Sequence, residues 1–568
     1  PIWVLIDRAL CEKSLALVAE LKKRNNIRFK ELTGIESATQ RAAFTTFCWL
    51  SGVDLPDTQG ETLRRILELH ETAKSDPLLG SHHLLEDDVA EAMRIVYENN
   101  RTSTAKYATA LNCMDDDDDR IRGSIMYCGA ERTWRWAGRL IQPHNFPRGH
   151  ISDMEAAVAF IVESSLDEVI ESMNLYSKKE NGELIGFKDV MEFLSHALRG
   201  MILAEPGRIL AVSDFAAIEA RVLFWLADEQ EALQLLREGG DIYCALAEDI
   251  YGYPCNKKEH PDERQLGKQG ILGLGFGMGD AKFVATCFKY DIIISDKLAQ
   301  KSVKAYRAKY TKVSKDFWPM QENAAILAML LKGTGDLSLI PTDYDPDERL
   351  TVDADGWVVA GKIAWRLDGK FLRCRLPSGR CNVYPFPQLV EGKNYFFKGE
   401  TMQKNKEERV TRWLTLSNTD GKGEWTTSTI QTKAAKRAKE AGLWLIPNQE
   451  FHGRLRYSLK YMGIDKDAKT NRDGPYVRDW GWIHTYSGKI TENIVQATAR
   501  DLMADAMLRA HQSEDYDVTL SIHDELVTEI DAWLGDMESF NEMMADPPEW
   551  AEGCPISAEG WRGHRYRK

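Results

Sequence analysis

From Ile209 to Ser213 the chain is a short apolar run suited to a buried strand, and from Ile218 onward apolar residues return at helical spacing, at Ile218, Val222 and Leu226. Asp214 therefore falls where a strand ends, held on rigid backbone and facing a cleft, which is what a hard divalent cation requires of a carboxylate ligand. A second pattern of this kind lies between Val518 and Ile530, where two runs rich in β-branched residues flank His523-Asp524-Glu525 and predict a hairpin with acids at its tip. Taken singly, such a tip is also what a solvated turn looks like. Taken together, strand-end acids from distant parts of a chain can converge on one sheet and clamp two Mg²⁺ ions roughly 3.5–4 Å apart for in-line phosphoryl transfer.

Residues 10–115 carry helical periodicity, with Asp57-Thr58-Gln59 leading into Thr62–Leu69 and another periodic run from Val89 to Tyr97. The stretch from Asn99 to Tyr107 concentrates hydroxyls and cations at a helix end, which suits either sequence-independent phosphate contacts or a polar cap. Asp115 to Asp119 reads as a solvated turn, because adjacent like charges cannot all hold one ion. Between Gly129 and Arg148, four arginines interleave with Trp134 and Trp136 and are joined by Gln142 and Asn145, an irregular segment able to meet phosphates and base edges.

In the glycine-rich stretch 262–279, Arg264 and Lys268 stand one helical turn apart as a paired anion grip, and Leu272 and Phe276 continue that face. The glycines from 270 to 279 weaken the helix, as expected of one that moves and admits a nucleotide to its backbone. The G-x-x-x-x-G-K-[ST] order of a P-loop is absent. From about 333 to 450 Gly, Asp, Thr and Lys increase, with hairpin-like pieces such as Trp365–Arg375. A strong helix follows over 488–507, carrying Glu492, Gln496 and Arg500 as a polar stripe and burying Ile494, Val495 and Leu502 on another side.

With 568 residues and 43% hydrophobic content, the chain can build several subdomains with cores of their own. Its longest apolar stretches, such as Ala324 to Leu331, fall far short of a bilayer span and no charged-then-apolar leader opens it, so a soluble, intracellular-type protein is expected. It begins at Pro1 and enters apolar sequence at once, which suggests a piece of a longer or processed chain. Ten cysteines without a C-x-x-C pair suggest core thiols in a reducing compartment, not a zinc site or a disulfide framework. A formal charge of −14 excludes a uniformly basic coat but leaves room for a local basic channel.

In combination these segments resemble a family A DNA polymerase, and especially the phage branch of that family. Its three polymerase motifs occur in order, motif A at Asp214 to Arg221, motif B at Arg264 to Gly277 and motif C at His523 to Glu525. Arg132-Thr-Trp-Arg135 is similar to the family's Thr-Gly-Arg segment, Ser103-Thr104 to its thumb Ser-Thr, and Asn493 to Asp501 to the helix before motif C. The likeness covers essentially the whole chain except roughly 333–450.

The resemblance implies an α+β right-hand fold with thumb, antiparallel palm and mostly helical fingers. Its divisions would be an N-terminal segment and thumb at 1–115, a first palm part at 116–222, fingers at 223–495 with an insertion at about 333–450, and a second palm part at 496–568. It implies Asp214, Asp524 and Glu525 as catalytic acids, with Asp214, Asp524 and the Phe215 carbonyl holding two Mg²⁺ ions, for which Mn²⁺ could substitute. Arg264, Lys268, Leu272, Phe276, Glu219 and Tyr243 would meet the incoming dNTP, with Glu219 as a gate beneath its sugar. Ser103, Thr104, Lys106, Arg135, Asn145, Gln496 and His523 would meet primer-template DNA.

Replication accessory proteins would be further partners, membranes would not, and the setting would be a host bacterial cytoplasm. The family's 3′–5′ exonuclease would lie before residue 1, and its acidic motifs do not form a complete set in this chain.

Five positions depart from the family pattern. Trp134 replaces a glycine, Tyr243 a histidine, Glu492 an asparagine, Phe276 a tyrosine and Leu272 an aromatic residue. None removes a metal ligand, so activity with altered nucleotide selection is expected. Two rival readings remain: a polymerase-shaped binding protein without chemistry, which has no use for converging acids, and a single-subunit RNA polymerase, whose 2′-OH substrate Glu219 would oppose.

Overall fold

Period-two alternation along the strand Arg208–Phe215 decides how the chain is layered. In this computed structural model, which describes residues 3–75, 84–147, 149–180, 183–290, 292–401, 411–418, 425–441, 443–446, 449, 451–464, 480–534 and 536–567, that strand lies inside a four-stranded sheet. Its neighbours are Glu525–Asp531 on one side, followed by Asp517–Ile522, and Ala558–Gly563 on the other, with every pair antiparallel. Leu210 and Val212 face one core together with Leu520, Ile522 and Val527, whereas Ile209, Ala211 and Phe215 face a second core with Leu526 and Ile530.

The first core is built on residues before 208. Helices Arg8–Thr33, Arg41–Leu50, Gly60–Ser75, Asp87–Asn99 and Ala105–Cys113 occupy the stretch expected to be helical. A strand the periodicity did not announce, Trp3–Ile6, pairs antiparallel with both Arg120–Arg122 and Ile202–Leu203. The helix Arg8–Thr33 is long enough to serve two cores. Leu10, Leu17 and Leu21 near its start pack with the central sheet, while Phe29 near its end joins a separate cluster with Phe44, Leu63, Met93 and Val96.

The second core gathers the helices Ile218–Ala227, Ile242–Tyr251, Pro261–Leu274, Asp296–Lys309, Trp318–Leu330 and Ser487–Gln512. Two glycines of the glycine-rich stretch find their reason here. A Cβ on Gly267 would stand 2.1 Å from the Tyr243 carbonyl oxygen, and one on Gly270 would stand 2.8 Å from Leu246. Both let the Pro261–Leu274 helix lie directly on Ile242–Tyr251, so at these positions glycine serves helix packing and not nucleotide approach.

The expected insertion at 333–450 has a different extent. A five-stranded meander spans Thr351–Val352 to Cys381–Pro385, and a second sheet takes Thr411–Asn418, Gln388–Thr401, His452–Ile464 and Trp480–Thr485 in spatial order. Strand-rich structure therefore runs on to Thr485. The long strand Gln388–Thr401 needs His452–Ile464 as its partner, a non-local pairing that crosses the boundary composition suggested. Arg148, and within the insertion residues 402–410 and 419–424, lie outside the described residues. The meander is tied to the helix Trp318–Leu330 by buried Gln321, which donates to the Ala360 carbonyl at 3.1 Å and accepts from the Trp365 indole at 3.1 Å. Among the described residues no helix is long and apolar enough to cross a membrane.

The close approach at Gly267 makes a direct expectation. Gly267→Ala should destabilise the protein by about 1–3 kcal/mol through overpacking, despite alanine's better helix propensity, as measured by denaturant unfolding. An unchanged midpoint would mean that the two helices can separate without strain.

Candidate active site

Pairing of the sheet brings the acids together. Asp214 stands directly opposite Glu525 in the register of strands 208–215 and 525–531, and the Phe215 amide donates to the Asp524 carbonyl at 3.0 Å. Ile522 pairs with Glu525, so His523 and Asp524 form a two-residue hairpin tip, with His523 in the left-handed region at φ 59° as such a turn demands. Asp524 lines a cleft with Arg135, Trp136, His144, Ile218, Ala499, Arg500, Ser521 and His523.

Among the described residues no group of three or more His, Cys, Asp or Glu side chains is placed to hold a metal ion. Asp214 at a strand end and Asp524 at the hairpin tip offer hard oxygen donors only. Mg²⁺ suits such a site, since it retains waters and shares its coordination with substrate phosphates.

Glu525 is 1% exposed and accepts a hydrogen bond from the Tyr566 hydroxyl. That hydroxyl in turn accepts from Arg199 at 2.7 Å, and Arg199 also donates to the carbonyls of Pro147 (2.9 Å) and Phe146 (3.1 Å). Buried in this chain of bonds, Glu525 ties the hairpin to the first core, directly opposite Asp214 in the register.

On the side of the helix Pro261–Leu274, Arg264 donates to Asp241 at 2.5 Å and lies 5.1 Å from the Tyr243 ring centroid. Burial pushes the Asp241 carboxyl up, but Arg264 and the amides of Cys244 and Tyr243 outweigh it and hold it below the usual range. The Tyr243 phenol, on the neighbouring helix Ile242–Tyr251, is pushed up chiefly by burial, with Arg264 opposing and Asp241 and Asp524 adding to the rise. Leu272 is exposed and Phe276 half-buried. A Cβ on Gly488 would stand 2.2 Å from the Phe276 carbonyl, which fixes this end of the motif against the start of Ser487–Gln512. Glu219 accepts from Arg135 at 2.9 Å, with both side chains partly buried, so the residues expected under the sugar and in the minor groove form one ion pair.

The expected duplex contacts divide. His523 and Arg135 line the cleft, and Gln496 is half-buried on the helix Ser487–Gln512. The His523 ring meets His144 edge-on at 5.2 Å, and burial pushes His144 down to about 4. Ser103 shares a 2.5 Å hydrogen bond with Ser195, and Asn145 donates to Gln142 at 3.0 Å. Thr104 is 2% exposed, so its hydroxyl lies inside the fold. Lys106 donates to the Ile141 carbonyl at 2.8 Å beneath the Phe146 ring, and burial lowers its pKa. Its ammonium braces the loop instead of standing free for phosphate.

One network escaped the sequence reading. Arg500, placed on a polar stripe there, is 8% exposed; it donates to the Trp134 carbonyl at 3.2 Å and to Asp501 at 3.2 Å, and lies 4.4 Å from the Trp136 ring centroid. Asp501 also accepts from Arg380 at 2.6 Å and Ser378 at 2.5 Å, and Arg380 reaches the Ala497 carbonyl at 3.0 Å. Trp134 itself has φ 61°, a left-handed conformation that costs a non-glycine residue about 1–2 kcal/mol. The backbone thus takes a shape natural to the glycine of the resembled motif, and Arg500 secures it. An adjacent Arg-Asp pair set between Ile494, Val495 and Leu502 on one helix was the available signal.

A family model described as DNA polymerase family A matches residues 177–326. The DNA polymerase of Bacillus phage SP02 is 26% identical over 567 residues, covering 100% of this chain and 68% of that protein. The POL domain of Pol1 from M. smegmatis, solved in complex with DNA primer-template and dNTP, superposes with a TM-score of 0.52 at 12% identity, covering 99% of this chain and 67% of the other. That second likeness is one of fold.

The buried relay to Glu525 carries its own expectation. Tyr566→Phe leaves Glu525 and Arg199 without their shared hydroxyl and should destabilise the protein by about 1–3 kcal/mol, read as a lowered unfolding midpoint. A variant as stable as the parent would show that the relay does not hold the hairpin.

Proposed function

We propose that this chain acts as a DNA-directed DNA polymerase of family A, as its likeness to that family model and to a phage DNA polymerase supports, and that it extends a primer 3′ end with dNTPs by two-metal phosphoryl transfer at Asp214 and Asp524, in phage DNA replication. The observation that carries the reading is that Asp214, at the end of its strand, lies beside the hairpin tip that carries Asp524, joined through the Phe215–Asp524 hydrogen bond. The phage polymerase that matches the whole chain supports the replication setting.

On this reading the helices before residue 115 serve as thumb, the four-stranded sheet as palm and the helices from Ile218 to Leu330 as fingers. Asp214, Asp524 and the Phe215 carbonyl would hold divalent cations, Mg²⁺ by preference. When bound, these would draw charge from the α-phosphate and lower the pKa of the primer hydroxyl. Arg264 and Lys268 neutralise the triphosphate, and Asp241 keeps the Arg264 guanidinium aimed until it arrives. Tyr243 closes the same side over Arg264. Glu219 stands beneath the sugar and excludes a 2′-OH by desolvation and bulk. Arg135 reads the minor groove, Gln496 and His523 flank the primer end, and Ser103 and Asn145 meet the duplex backbone.

Primer-template DNA and dNTPs are thus the proposed partners, as in the complex formed by the structural neighbour. The Arg135–Glu219 ion pair must rearrange, at least in part, when both ligands occupy the cleft.

The primary test is primer extension with Mg²⁺ on one primed template. Asp214→Asn and Asp524→Asn should each lose several orders of magnitude in turnover while still binding primer-template; near-normal extension by either removes the assignment. Selection at the sugar is read by single-nucleotide incorporation. Glu219→Ala should admit ribonucleotides. Leu272→Tyr, which adds a hydroxyl able to stand in for a missing 3′-OH, should relax discrimination against dideoxynucleotides by roughly 1–3 kcal/mol, or about 5- to 150-fold. An unchanged dideoxynucleotide ratio would place Leu272 away from the sugar.

A further inference from the structure

We propose that the outer face of the sheet formed by Gln388–Thr401, Thr411–Asn418, His452–Ile464 and Trp480–Thr485 is a binding track for single-stranded DNA, namely the unpaired template strand ahead of the primer junction. The inner face of this sheet is covered. Phe397 packs against Ala434 and Ala438 of the helix Thr427–Glu440, and Leu459 and Tyr461 join the main core. Register puts the alternate positions on the other face, where Lys398 pairs with Trp413, Glu400 with Trp444, Met462 with Trp482 and Lys460 with His484. There Trp413, Trp444, Trp480 and Trp482 are 42% to 66% exposed. A folded chain rarely leaves so many tryptophans open on one face without a ligand.

The chemistry of the face selects among ligands. Lys398 lies 4.6 Å from the Trp413 ring centroid and Lys460 lies 4.5 Å from that of Trp482, so a cation accompanies an aromatic platform at each end. Among the described residues of these strands, Glu400 is the one carboxylate that register places on this face, in a chain of formal charge −14. Local basicity on an acidic protein is complementary to a polyanion, and open aromatic rings on a sheet stack unpaired bases whatever their identity. From the level of Gln388 to that of Lys398 the track runs about 34 Å at ~3.4 Å per strand residue, room for several nucleotides.

Its inner end is also well placed. Trp480–Thr485 leads through exposed Tyr486 into the helix Ser487–Gln512, whose Gly488 abuts the Phe276 carbonyl at the nucleotide side of the cleft. The location relative to the template rests on the proposed polymerase geometry, whereas binding of single strands does not.

The test is fluorescence anisotropy on the full chain without Mg²⁺ or dNTP, so that its outcome is independent of catalysis. The probes are one primed duplex with a 2- or a 20-nucleotide 5′ template overhang, and a free oligo-dT of the longer length. The parent protein should prefer the long overhang by about 10-fold or more, and Trp413→Ala/Trp482→Ala and Lys398→Ala/Lys460→Ala should lose that preference while keeping the short-overhang affinity. Trp413→Phe/Trp482→Phe should restore most of it. Equal affinity of the parent for both overhangs, retention of the preference in the alanine variants, or loss of both substrates together overturns the proposal. Retained single-strand binding in those variants would leave the face to a protein partner.

Discussion

The single hydrogen bond from the Phe215 amide to the Asp524 carbonyl, continued by seven registered pairs between strands 208–215 and 525–531, is the constraint on which the active site depends. A sheet has a side-chain period of two, so a slip of one residue would send Asp214 to the opposite face and exchange the two cores. That slip is blocked by hydrophobic burial on both faces. Leu210 and Val212 belong to one core, Ile209, Ala211 and Phe215 to the other, and neither set could be turned to the wrong side without leaving both cores mispacked. The geometry of the acids is thereby enforced by apolar residues that take no part in chemistry.

Around this sheet, buried polar groups hold the irregular segments that secondary structure cannot. Arg199 and Tyr566 join the carbonyls of Phe146 and Pro147 to Glu525, so that the end of the described chain braces the motif C hairpin from behind. Arg500, Asp501 and Arg380 do the same on the other side, joining the left-handed Trp134 loop to the helix Ser487–Gln512 and to the meander. Each group in these chains is satisfied by several partners, as burial in a low-dielectric interior requires. The insertion is therefore tied into the active-site scaffold through Arg380 and does not merely hang from it.

Electrostatics before substrate binding show how the cleft is kept ready. Arg264 is held by Asp241 and Arg135 by Glu219, so two guanidinium groups beside the cleft have carboxylate partners. Such pairs compensate partly buried charges and hold the side chains in place.

Local pattern determined much of this protein. The strand carrying Asp214, the hairpin tip at His523-Asp524, the helices between Arg8 and Cys113 and the motif B helix all follow from apolar periodicity and turn chemistry, which act within a few residues. The likeness to the family was legible for a related reason, since its motifs are short and occur in order along the chain. Tertiary structure decided the rest. That Thr104 is buried, that Lys106 braces a carbonyl, that Glu525 turns to Tyr566 and that Arg500 lies inside are properties of partners far away in the chain, and a polar side chain carries no local sign of which partner it will meet. The extent of the strand-rich insertion was hidden likewise, because Gln388–Thr401 becomes part of a sheet only when His452–Ile464 pairs with it, and strand pairing at that separation is set by the packing of the whole and not by the composition of either segment.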